Sequence, residues 1–263
     1  MEIKQLEKSL IHPQKYSEIN HITPYIYQLE NQNKKLLILG SEHTNDPKNS
    51  QFNDFKKLFL EFKPEVVYVE GGWDKSDQIP KESLAIQKGE MAFIVFLAQK
   101  NNVKIESWEP GMKNEIEHLI KKYSKEELFA HFILRTVRQY NQYGKSKGYF
   151  SRQIMEIKKL TNWNNFSYSM ANLKKIHKNI FGVEFKPDNW KLYNIPPYIL
   201  KGDTAIGPSV LNHIARDEMI FRDSFAVKAI LNEFTKHKRV LAIMGAGHAV
   251  VQEPVYREYF NKL

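Results

Sequence analysis

Two stretches near opposite ends of the chain share one pattern, Gly-x-x-His directly behind an aliphatic run. Leu36-Leu37-Ile38-Leu39 leads into Gly40-Ser41-Glu42-His43, and Val240-Leu241-Ala242-Ile243-Met244 leads into Gly245-Ala246-Gly247-His248. A further run, Val66-Val67-Tyr68-Val69, ends on Glu70-Gly71-Gly72. Two imidazoles and one carboxylate form a ligand set for a divalent metal ion with open positions, which makes His43, Glu70 and His248 the candidate ligands. Glu42 stands beside the first histidine as a general base for metal-bound water, or as a group that orients a ligand. A variant needs no metal: a histidine activates water directly and the carboxylates orient it. The chain has no cysteine, so thiolate chemistry and disulfides are excluded and any metal must rest on His, Asp or Glu. The second glycine motif is no dinucleotide loop, because G-x-G-x-x-G would require glycine where Val250 stands.

Other carboxylates belong to the same reading. Glu90 opens an apolar helical stretch, Gly89-Glu90-Met91-Ala92-Phe93, where a negative charge suits the helix dipole. Glu109 follows the strand that runs to Trp108 and either shares the same rim or merely flanks Pro110. In "NHIARDEMIFRDSF", Asp217 falls on the helix face that carries Ile214, Phe221 and Phe225. An unpaired carboxylate is costly on such a face, so Arg216 or Asp217 is expected to point into a polar site.

Only the fold can join groups so far apart in sequence. Residues 24–29 and 35–39 read as a hairpin about a polar turn. Phe52, Phe55, Phe59 and Phe62 have helical spacing over 50–62. Strand 65–69, helix 80–100 and strand 103–108 follow. Residues 112–143 are predicted helical with Ser124 as an N-cap, 207–237 form a long helix, and strand 239–244 leads into a last helix. Strand and helix alternating in this way predict an α/β fold with a mixed, mostly parallel central sheet flanked by helices. One domain spans 1–263, with a helical insertion or cap at 111–206. In an open α/β sheet ligands gather outside the carboxyl ends of the strands, so parallel neighbours would bring His43, Glu70 and His248 to one rim. Trp163, Phe166, Tyr168, Trp190, Tyr193 and Tyr198 in the insertion would wall a substrate cleft or, the favoured reading, fill an ordinary aromatic core.

Hydrophobic residues make up 42% and charged residues 26% of the 263, which suits a globular protein. The net charge of +9 comes from scattered lysines with no dense basic tract. That favours a solvated surface over a nucleic-acid patch. Neither a signal-type leader nor an apolar run long enough to span a bilayer is present, so a cytoplasmic protein is expected.

Taken in order, Gly40 to His43, Glu70, Gly89-Glu90-Met91, Arg216-Asp217-Glu218-Met219 and Gly245 to His248 resemble the motifs of the TraB/PrgY/TIKI superfamily, which is related to the erythromycin esterases and ChaN-like proteins. The resemblance implies an α/β core with a helical insertion and a metal-dependent hydrolase site for an ester, lactone or peptide bond. It also implies an alternative, in which a ChaN-like protein holds haem or a metal complex without chemistry. The chain departs from the family pattern at Ser41-Glu42, where Thr-Ala is usual, and at Ser107-Trp108-Glu109, where Gly-Asp-Arg is usual. The expected site therefore comprises Glu42, Glu90, Arg216 and Asp217 as catalytic groups, a divalent ion on His43, Glu70 and His248, and a small-molecule or peptide substrate.

Overall fold

Alternation of side chains across the strands decides the layers. A computed structural model of the chain describes residues 7–72, 78–142, 144–188, 193 and 209–263. The chain divides into two units, Met1–Pro110 with Arg222–Leu263, and Gly111–Phe221. The first carries a five-stranded sheet: β1 (Tyr25–Asn31), β2 (Lys34–Ser41), β3 (Val66–Val69), β4 (Lys104–Ser107) and β5 (Arg239–Gly245), in the spatial order β1-β2-β5-β3-β4. β1 and β2 form the expected hairpin, paired antiparallel; every other neighbouring pair is parallel.

Successive side chains on a strand point to opposite faces, and here both faces are apolar, as a sheet covered on both sides requires. Leu36, Ile38, Val66, Tyr68, Val240, Ala242 and Met244 pack with Ala226, Val227, Ile230 and Phe234, and with Val255, Tyr256 and Phe260. Those come from the second half of a long helix (Val210–Glu233), with Phe234 just past its end, and from the last helix (Ala246–Asn261). Leu37, Leu39, Val67, Val69, Leu241 and Ile243 face the other way, onto the phenylalanines of helix Gln51–Phe62 and the apolar helix Glu90–Lys100. Helix Gln51–Phe62 stops where Lys63 turns left-handed, φ 51°, ahead of Pro64.

The topology explains why residues far apart in sequence meet. β5 inserts between β2 and β3, with Ser41 opposite Gly245 and Tyr68 opposite Ala242. The strand end that leads to His248 thus lies between those that lead to His43 and Glu70. The stretch predicted as one helix over 80–100 is instead two, Glu82–Gln87 and Glu90–Lys100. Gly89 separates them at φ 99°, outside what a helix allows, and this makes Glu90 a first-turn residue.

The second unit is helical: Met112–Leu119, Lys125–Leu134, Val137–Gln142, Tyr149–Thr161, Met170–Phe181 and the first half of Val210–Glu233. Three of these helices fall within the 112–143 stretch that reads as helical. Ser124 caps the second of them, accepting from the Glu127 N–H while the Glu127 carboxylate takes the Ser124 N–H. The aromatic residues of the insertion pack as core. Trp163, Phe166 and Tyr168 lie against Phe129 and its neighbours, and buried Tyr193 shares a hydrogen bond with His177. Trp190 and Tyr198 lie outside the described residues. Among the described residues no helix is long and apolar enough to cross a membrane.

Candidate active site

Four parallel strands end side by side in the first unit, and each end contributes a polar side chain. Past β2 comes His43. The buried Gln51 clamps the backbone just before it, accepting from the Glu42 N–H at 3.1 Å and donating to the Glu42 carbonyl at 2.8 Å. His43 Nδ1 lies 2.7 Å from Oε1 of Glu90, which is buried in the first turn of its helix. Ser41 Oγ sits 3.2 Å from the same carboxylate oxygen and from the Met244 carbonyl.

Past β5 the chain enters its last helix at once, so His248 stands in the first turn. Its Nδ1 lies 2.7 Å from Asp223 Oδ1, and Asp223 is fully buried. The His248 ring meets the Trp108 ring edge-on, with centroids 5.3 Å apart. Trp108 is fixed in turn by its indole N–H, which donates to the Ile243 carbonyl at 2.9 Å. The site thus holds two carboxylate-bound imidazoles.

Glu70 follows β3 and Glu109 follows β4. Each spends one oxygen on a backbone N–H of the neighbouring strand end, Glu70 on Gly245 and Glu109 on Gly71, both at 3.1 Å. The remaining oxygens share Arg222, whose Nη2 donates to Glu70 Oε1 at 3.1 Å and to Glu109 Oε1. Gly245 is the point of convergence. Its N–H holds Glu70, and a β-carbon built on it would fall 2.8 Å from His43 Nε2.

The charges are coupled accordingly. Burial pushes the Glu70 carboxyl up, but His248, Arg222, His43 and the Gly245 N–H together outweigh it and hold the group below its ordinary value. Burial pushes the His248 imidazole down, and Arg222 acts in the same sense. Asp223, by charge and hydrogen bond, and Glu70 outweigh them, so this histidine holds its proton more tightly than usual.

Of the residues singled out in the sequence, His43, Glu70, Glu90 and His248 gather here, and Glu109 joins them. Glu42 is exposed beyond the rim and accepts from the Asn49 amide at 3.1 Å. Arg216 and Asp217 make their contacts within the helical unit. Arg216 Nη2 lies 2.7 Å from His213 Nδ1, and Asp217 accepts from Lys122 at 2.5 Å and from the Tyr123 hydroxyl at 2.7 Å. The arginine and aspartate of the sheet-end site are the next Arg-Asp pair along the same helix, Arg222 and Asp223. The repeated dipeptide in "ARDEMIFRD" was the sequence signal for them.

The donor set suits a divalent ion in part. Both histidines place Nδ1 on a carboxylate, the usual way of orienting a metal-binding imidazole through its other nitrogen. Glu70 does not suit it as placed, because Arg222 and the Gly245 N–H take its two oxygens. Among the described residues no three His, Asp or Glu side chains are set around one point so as to hold an ion.

No protein-family model matches the chain, and no curated protein matches it either.

Proposed function

We propose that the chain is a hydrolase that cleaves an ester, lactone or peptide bond with a water activated at the ends of β2, β5 and β3. The observation that supports this most is the pair of carboxylate-bound imidazoles, His43 on Glu90 and His248 on Asp223, with Glu70 and the His43 ring meeting at Gly245. An imidazole whose Nδ1 proton is held by a carboxylate offers Nε2 as a base. In this reading one histidine takes the proton of the attacking water. Glu70, ionised under the influence of the cations around it, orients that water. Arg222, pinned between Glu70 and Glu109, supplies the positive charge that a developing oxyanion needs. It fills the role expected of Arg216.

A divalent ion on His43 and His248 is the second form of the same proposal, favoured by the carboxylate that orients each ring. When bound, such an ion would polarise the scissile carbonyl and acidify water. The haem-binding alternative rests on the motif resemblance alone.

The test is a panel of aryl esters, lactones and short peptides, assayed with purified protein before and after exhaustive chelation, alongside elemental analysis. Hydrolysis that survives chelation and disappears in His43→Ala and His248→Ala supports direct activation by histidine. Hydrolysis restored only by added metal selects the second form. A Soret band on haem titration, lost in the same variants and with no hydrolysis of any panel member, would replace the reading with a binding protein.

A further inference from the structure

Behind His248 runs a chain of buried polar groups that packing alone does not require. His248, Gln252 and Tyr256 occupy positions i, i+4 and i+8 of the last helix and so share one face. The Tyr256 hydroxyl donates to Gln252 Oε1 at 2.7 Å, and Gln252 Nε2 donates to Asp223 Oδ1 at 2.6 Å. The same Oδ1 takes Nδ1 of His248 at 2.7 Å. Asp223, Gln252 and Tyr256 are all fully buried.

We infer that Tyr256 and Gln252 are positioning residues that hold the proton of His248 on Nδ1 and keep Nε2 as the ring's acceptor. The inference rests on the proposed hydrolase reading, takes His248 as the histidine that accepts the water's proton, and extends that role to residues that touch no substrate.

The logic is one of donors and acceptors. A carboxamide can present either its oxygen or its nitrogen to Asp223. Presenting the oxygen would press two acceptors together in a sealed space, where an unsatisfied polar contact costs most. The Tyr256 hydroxyl removes the ambiguity by donating to the amide oxygen, which turns the amide nitrogen toward Asp223. Burial and the Asp223 charge push the Tyr256 hydroxyl far above its ordinary value, so the proton it donates stays in place. With Gln252 fixed, Asp223 Oδ1 has two donors, while the buried Oδ2 meets no donor among the described residues. Both donors load a single oxygen, the one that faces His248.

The experiment reads the tautomer directly, with no substrate. Protein labelled with 15N-histidine is examined by long-range 1H–15N correlation at a pH where the imidazoles are neutral. Wild type should show His248 as the Nδ1–H form alone. Gln252→Met, close in volume, should lose that exclusivity and give a mixture. Tyr256→Phe, which deletes one hydroxyl, should give a smaller admixture and covers the case in which the first variant does not fold. A His248 signal that stays purely Nδ1–H in both folded variants would overturn the inference, because Asp223 alone would then suffice. The outcomes separate it from the functional reading. A protein inert toward every panel member but with the expected tautomer shifts loses only the hydrolase proposal. A hydrolytic protein whose tautomer never moves loses only this one.

Discussion

His43 Nε2 lies so close to Gly245 that a β-carbon at that glycine would fall 2.8 Å from it. Real contacts do not survive at that range, so Gly245→Ala must displace something. The atom in the way belongs to a mostly exposed side chain, which can swing aside at little energetic cost. The substitution should therefore change stability by no more than about 0.5–1 kcal/mol, read from urea denaturation. The proposed hydrolysis should fall on the order of 100-fold, because a misplacement near 1 Å of a reacting group has that effect. Equal losses of stability and activity would mean that the strand end, not the ring, had moved.

Glu233 gives a pH-dependent prediction well away from the proposed chemistry. Burial pushes this carboxyl up, but hydrogen bonds from Tyr68 and Lys104 and the charges of Lys104 and His237 outweigh it and hold the group below its ordinary value. Tyr68 donates at 2.6 Å and Lys104 at 3.3 Å. A carboxylate depressed in the folded state stabilises fully above its unfolded pKa, and that stabilisation is lost as pH falls through the folded value. Glu233→Gln should thus cost about 1–3 kcal/mol at neutral pH. The gap from wild type should close as the solution is acidified below about pH 4. A gap that is constant with pH would show that Glu233 acts through shape and not charge.

The helical unit holds a buried ion cluster whose partners are better removed together than singly. His131 Nε2 lies 2.6 Å from Glu218 Oε2, and Arg135 donates to the other Glu218 oxygen. Glu218 and His131 are both buried. Glu218→Ala should destabilise by about 3–5 kcal/mol, since it takes the carboxylate from the buried His131 ring and leaves Arg135 with the longer contact to Glu115. Glu115, also buried, lies 3.7 Å from Arg135 and belongs to the same cluster. Replacing Glu218, His131, Arg135 and Glu115 together with apolar residues of similar size should recover most of that loss. Chemical denaturation of the single and quadruple variants decides it, and a quadruple variant no more stable than the single would refute the account.

The strand ends were readable because a parallel strand buried on both faces is a nearly unbroken aliphatic run, and three such runs stop on glycine or glutamate with His43, Glu70 and His248 close behind. Glu90 was readable as a helix start, although the break at Gly89 that makes it one was not marked by any proline. What the sequence could not decide was which Arg-Asp pair serves the site. Arg216-Asp217 and Arg222-Asp223 lie on one helix six residues apart, and a step of that length turns a side chain by roughly 120° around the axis. Apolar neighbours at 214, 221 and 225 argued for Asp217, yet that carboxylate is satisfied by Lys122 and Tyr123. The choice is made by a contact with no local signature, between Asp223 and a histidine contributed by the last helix.

Gly89 yields the final prediction, because it couples backbone strain to the site. It sits at φ 99° and ψ 178° immediately before Glu90, a region that only glycine enters readily. The nearest atom to an added β-carbon would be the Thr44 carbonyl oxygen at 3.7 Å, an ordinary contact. Gly89→Ala thus has room for its methyl group but not for its backbone, and strain of about 1–3 kcal/mol is expected. Turning the start of the helix relieves it, and that start carries the carboxylate bound to His43. The variant should therefore lose thermal stability and, in the fraction still folded, the His43–Glu90 hydrogen bond, seen as a changed His43 ring-nitrogen shift. Glu90→Gln separates the two effects: it should alter the His43 signal while leaving the backbone unstrained, and so cost less stability than Gly89→Ala. A Gly89→Ala protein with an unchanged His43 signal would show that the strain is absorbed elsewhere in the turn.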